Sequence, residues 1–169
     1  DTGELVDLLN IKEQTKLLSI VLNERGALQA SRFNQINILG YPLSISEVFQ
    51  QKNSNKNIEQ SLAIIDDIQD ICLQKNKTFL IYFSMAFGNP YGEEWSQHIL
   101  LKYIEKIAKK GIDMVSLADT IGNSSVESIK DVYGAICQNF PTLDIGLHLH
   151  SRPQDVVSKI QSAWDAGCR

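Results

Sequence analysis

Short apolar runs alternate with longer segments of helical spacing along the whole 169-residue chain. The runs are 16–21, 35–39, 78–84, 113–118 and 144–150. Most are nearly continuous in apolar residues, as expected of strands buried on both faces. Between them lie helical patterns. Residues 58–74 place Leu62, Ile65, Ile68 and Cys72 on one side. Residues 93–110 do the same with Ile99, Leu100, Tyr103, Ile104 and Ile107, and Gly111 then offers a C-terminal stop. Ser124 or Ser125 can cap a helix running to about 139, before Pro141. A last helix is predicted over 154–166, between Pro153 and Gly167, with shorter ones at 24–31 and 2–9. Strand, helix and strand in repetition mean right-handed βαβ units and a parallel sheet, so the fold class is α/β.

Five such units suit two architectures. One is a complete flavodoxin-like open sheet. The other is a run of consecutive parallel βα units from a (β/α)8 TIM barrel, which when closed needs about 200 residues or more. Both place function at the C-terminal ends of the strands. No Pro/Gly linker divides the chain, so residues 1–169 read as one domain.

Charge excludes some partners. Sixteen basic and twenty acidic residues give a net charge of −4, with no basic stripe, so no nucleic acid is expected. No apolar run reaches ~18 residues, so no membrane-spanning helix is expected either. Cys72, Cys137 and Cys168 lie far apart and form no CxxC motif, which suits a reducing cytoplasm. The first residues lack the basic and apolar regions of a signal peptide. There is no GxGxxG, P-loop or GxSxG string.

Three segments can carry chemistry. In Leu147-His148-Leu149-His150 the histidines sit two apart on a strand and share a face at its C-terminal end, forming a ready bidentate metal site. Two polar strand-end side chains without a metal fit the same pattern. In Ser116-Leu117-Ala118-Asp119-Thr120-Ile121-Gly122 an apolar strand ends in a carboxylate. It can ligate a metal, accept a proton, or cap the following helix. In 82–92 a strand runs into a turn-rich loop, with Asn89 and Tyr91 at its mouth. The polar stretch 51–57 reads as a solvated loop, His98 as surface or packing, and Trp164 as core.

In order, these segments resemble the 3-hydroxy-3-methylglutaryl-CoA (HMG-CoA) lyase family. The strings are Val21-Leu22-Asn23-Glu24-Arg25-Gly26, Ser44-Ile45-Ser46-Glu47-Val48-Phe49, the segment 82–92, Asp119-Thr120-Ile121-Gly122 and His148-Leu149-His150. The resemblance implies a TIM barrel of which this chain holds about strands three to seven. It implies a retro-aldol cleavage of HMG-CoA to acetyl-CoA and acetoacetate, assisted by a divalent cation, Mg or Mn. It further implies an acyl-CoA substrate and a homodimer, the common arrangement in the family. His148 and His150 would be metal ligands and Asp119 the catalytic carboxylate. Asn89, Tyr91 and Thr120 would bind substrate. Two positions depart from the family pattern. Asn89 stands where better-known members carry Cys, and Ser151-Arg152 replaces the usual His-Asp.

The family's Arg-Asp pair on the first strand, its Glu on the second, its glycine-rich loop with a catalytic cysteine and its Asn ligand on the last strand have no counterpart in these residues. The chain is therefore expected to be an internal segment without lyase activity by itself. Two other functions fit the residues. One is a related aldolase or synthase acting on another hydroxy-acid. The other is a non-catalytic open-sheet ligand-binding domain, which would fold cooperatively as a monomer.

Overall fold

The computed structural model describes residues 2–169. The elements run α1 (Thr2–Leu8), β1 (Leu17–Ile20), α2 (Glu24–Ala30), β2 (Ile36–Ser44), α3 (Glu47–Ser54), α4 (Ile58–Lys75), β3 (Thr78–Ser84), α5 (Gln97–Ala108), β4 (Met114–Asp119), α6 (Val126–Asn139), β5 (Asp144–Leu149) and α7 (Val156–Asp165). The five strands pair in sequential order, and every pairing is parallel. A flavodoxin-like sheet would show the order 2-1-3-4-5 with helices on both faces. Sequential order is that of a barrel wall, so the fold is an incomplete barrel with an open sheet.

The pleat sorts the side chains. Leu39, Tyr41, Leu43, Ile81, Phe83 and Leu117 alternate along β2, β3 and β4 onto one face and are fully buried. They pack with Ile65 and Ile68 of α4, Leu100, Ile104 and Ile107 of α5, and Ile129 and Ile136 of α6 in one core. The opposite face carries Leu18, Ile20, Pro42, Tyr82 and Ala118 and lines a cavity instead.

Strand β2 continues to Ser44, past the predicted end at 39, because Gly40 and Pro42 do not break it. A Cβ on Gly40 would lie 3.0 Å from both Ile20 Cδ1 and Tyr82 Cε2, so the strand needs glycine there. Gly40 O accepts from Val21 N, so the polar groups of Gly40 and of Pro42 two residues on point toward β1. That neighbour has ended by Pro42, and its missing N–H costs no ladder bond.

Three other expectations need correction. Residues 51–54 are helical, not loop: Ser46 caps α3, and buried Gln50 accepts from Ser44 N and donates to Ser54 Oγ and Ser61 Oγ. Helix α5 starts at Gln97 rather than 93, capped by Ser96. Glu93 is diverted to the start of α3, where it accepts from Ser46 Oγ and Val48 N. Trp164 is 57% exposed, not core. Helix α7 turns its apolar stripe Val157, Ile160 and Trp164 outward and buries Lys159, Ser162 and Ala163 instead. His98 is exposed, as expected.

Two predictions arise from the core. Burial pushes the Cys72 thiol up to about 11, and the thiolate is the reactive form. Cys72 should therefore resist iodoacetamide at pH 8 in the folded protein, measured by peptide mass spectrometry. Labelling as fast as in the unfolded chain would contradict its burial. Among the described residues the buried Tyr41 hydroxyl has no hydrogen-bond partner. The nearby Ser61 hydroxyl is committed to Asn57 O and Gln50 Nε2. Tyr41→Phe should raise stability by about 1 kcal/mol, seen as a higher urea midpoint. A clear loss would contradict this.

Candidate active site

His148 and His150 emerge at the C-terminal end of β5 with their Nε2 atoms 3.1 Å apart. His148 pairs in register with Ala118 and meets the edge of the Tyr82 ring, centroids 5.7 Å apart at 89°. Both histidines line a cavity of about 290 Å³ with Leu18, Ile20, Pro42, Tyr82, Ser84, Ala118 and Thr120. Burial pushes the Tyr82 phenol above its usual value, so it remains a protonated donor at neutral pH. The remaining wall is mostly apolar.

The donor set suits a cation. Two nitrogens about 2.1 Å from one ion, at right angles, lie about 3.0 Å apart, close to the observed spacing. Among the described residues no group of three or more His, Cys, Asp or Glu side chains could hold a metal. The pair by itself would offer a cation two nitrogen donors, with the remaining positions left to other groups.

Of the roles its position left open, Asp119 takes the capping one rather than a place in the cavity. Its side chain is fully buried and does not line the cavity. Oδ1 accepts from Ser124 N at 3.2 Å, and Oδ2 accepts from Ser124 Oγ at 2.5 Å and from Lys159 Nζ at 2.8 Å. It is an anchored ion-pair partner beneath the site. Ser125, not Ser124, caps α6.

Thr120 does reach the cavity, and its Oγ1 accepts from Met85 N at 2.9 Å, tying the end of β3 to the end of β4. Asn89 and Tyr91 do not join the cavity. Asn89 spends its amide on its own loop: Oδ1 accepts from Tyr91 N and Glu93 N, and Nδ2 donates to Glu93 O. The Tyr91 ring carries Lys52 Nζ at 4.7 Å from its centroid.

Sequence reasoning missed Met85 and Lys159. Met85 is buried with φ +62, a left-handed conformation rare for such a side chain and concentrated at functional strand ends. Nothing in its residue type announces that. In the sequence Lys159 reads only as one more charge on the polar side of the last helix, and its burial shows in the structure alone.

The HMGL-like family model matches residues 9–169. The chain belongs to the HMGL-like family. The hydroxymethylglutaryl-CoA lyase of Bacillus subtilis (strain 168) is 30% identical over 149 residues, 88% of this chain and 50% of that protein. The chain thus spans about half the length of the curated relatives it matches. The crystal structure of the Bacillus subtilis HMG-CoA lyase superposes with a TM-score of 0.90 at 27% identity, covering 99% of this chain and 56% of that one. An HMG-CoA lyase structure from Acinetobacter baumannii, in complex with coenzyme A and 3-methylmalate, has the same fold. Its TM-score is 0.90 at 24% identity, over 100% of this chain and 55% of that one. Among the described residues, no helix is long and apolar enough to cross a membrane.

Proposed function

We propose that this chain forms the histidine-bearing part of a carbon–carbon lyase that cleaves HMG-CoA to acetyl-CoA and acetoacetate. The observation that carries the reading is the His148–His150 pair, converging at 3.1 Å on a cavity at the C-terminal end of a parallel barrel wall. Family membership supports the reaction class, and the coenzyme A in a structural relative supports an acyl-CoA substrate.

In this reaction the tertiary hydroxyl loses its proton. The bond to the carbon next to the thioester breaks, and its electron pair leaves as the acetyl-CoA enolate, which is then protonated. A divalent cation, Mg or Mn, supplies Lewis-acid polarisation of the substrate oxygens when bound. His148 and His150 would hold it, joined by oxygen donors, which such hard cations prefer. Tyr82 steadies the His148 ring and offers a hydroxyl proton at the wall. Leu18, Ile20, Pro42 and Ala118 exclude water around the substrate's methyl and methylene carbons. Thr120 faces the cavity and is the substrate-contact residue of this set. Asn89 and Tyr91 act through the shape of the β3–α5 loop, and Asp119 through its anchoring of the β4 end. Three free cysteines fit a reducing, cytoplasmic setting.

The test is product analysis with the full-length protein and HMG-CoA. Acetoacetate and acetyl-CoA should form in equal amounts, and a chelator should abolish both. Cleavage only of hydroxy-acids lacking the thioester would favour the aldolase siblings and contradict the reading.

A further inference from the structure

Strand pairing ends at Leu149, which sits opposite Asp119. His148 is therefore fixed by the β-ladder, but His150 lies one residue beyond it. What holds His150 comes from α7. Lys159 is only 5% exposed, and its ammonium donates to Asp119 Oδ2 at 2.8 Å, His150 O at 3.1 Å and Gly122 O at 3.2 Å. An ammonium has three protons, and each has an acceptor here: two on the Asp119–Gly122 turn and one on His150. Gly122, at φ +71, packs so closely that a Cβ there would lie 3.3 Å from His150 O. Burying a lysine is costly, and the inward face of a helix could be filled by an apolar side chain instead.

We propose that Lys159 is a positioning residue for the histidine pair. Its ammonium clamps the His150 backbone to the Asp119–Gly122 turn and so aims the second imidazole at the first. The inference rests on the reading of His148 and His150 as cation ligands. It adds that the clamp, not the strand, sets half of that ligand geometry. A partner acting behind a ligand changes metal affinity by about 10- to 100-fold.

The experiment titrates Mn²⁺ into metal-free full-length protein and reads free Mn²⁺ by electron paramagnetic resonance. The variants are Lys159→Met, Asp119→Asn/Lys159→Met, and His150→Ala. The double variant leaves no unpaired buried charge, so it should keep the wild-type circular dichroism spectrum. It should nevertheless bind Mn²⁺ about 10- to 100-fold more weakly. A folded double variant with wild-type affinity overturns the proposal. So does a double variant that fails to fold, because the pair is then a folding element. Wild-type protein that binds no Mn²⁺, or an unchanged His150→Ala, overturns the ligand reading and this inference with it. Weakened binding in His150→Ala but not in the folded double variant overturns the role of Lys159 alone.

Discussion

Lys159→Met is expected to destabilise the protein by about 3–5 kcal/mol, the range found when one partner of a buried pair is removed. The cost comes from what remains. Asp119 is fully buried, and its carboxylate would keep only the two bonds from Ser124. The carbonyls of Gly122 and His150 would lose a charged donor at the same time. The pair's own net contribution is smaller, because both groups are desolvated to form it. Adding Asp119→Asn should therefore recover much of the loss. Urea unfolding of the single and double variants measures both effects. A single variant within 1 kcal/mol of wild type would show that the pair is hydrated rather than buried.

If the proposed lyase reading holds, His148→Ala or His150→Ala lowers HMG-CoA turnover by the full-length protein by about 10²- to 10⁴-fold. That range follows from the several kcal/mol that Lewis-acid stabilisation contributes at about 1.4 kcal/mol per tenfold. Stability should change little, because both imidazoles, at and just beyond the end of β5, are exposed and lie outside the core. The informative pattern is loss of cation affinity and turnover together at an unchanged melting temperature. Equal turnover by both variants would remove the histidines from the mechanism.

The sequence revealed the units better than the site. The run 78–84 became β3 to the residue, because its apolar continuity has no competing reading. Gly111 takes the left-handed conformation expected just beyond a helix end. Periodicity left the choice between an open sheet and a barrel wall undecided, but the resemblance of the ordered motifs implied the barrel, and the sequential strand order bears that out. Strand order depends on which strands pair, and periodicity is silent on that. The His148–His150 pair was legible because a strand places residues two apart on one face. Asp119 was legible in part: its bonds to Ser124 fit the capping role, but its partner Lys159 is forty residues away on a helix whose apolar stripe points outward. A pattern-based reading puts Trp164 inside and Lys159 outside, and tertiary pairing reverses both. The loop position of Asn89 was legible, but not that three of its amide's bonds shape its own turn.

In the proposed function, His148 and His150 together hold a divalent cation. The most direct measurement is an anomalous difference map from crystals of the full-length protein grown with Mn²⁺. One peak is expected within bonding distance of both Nε2 atoms, at the mouth of the cavity lined by Tyr82 and Thr120. A peak elsewhere, or none beside the two imidazoles, would contradict it.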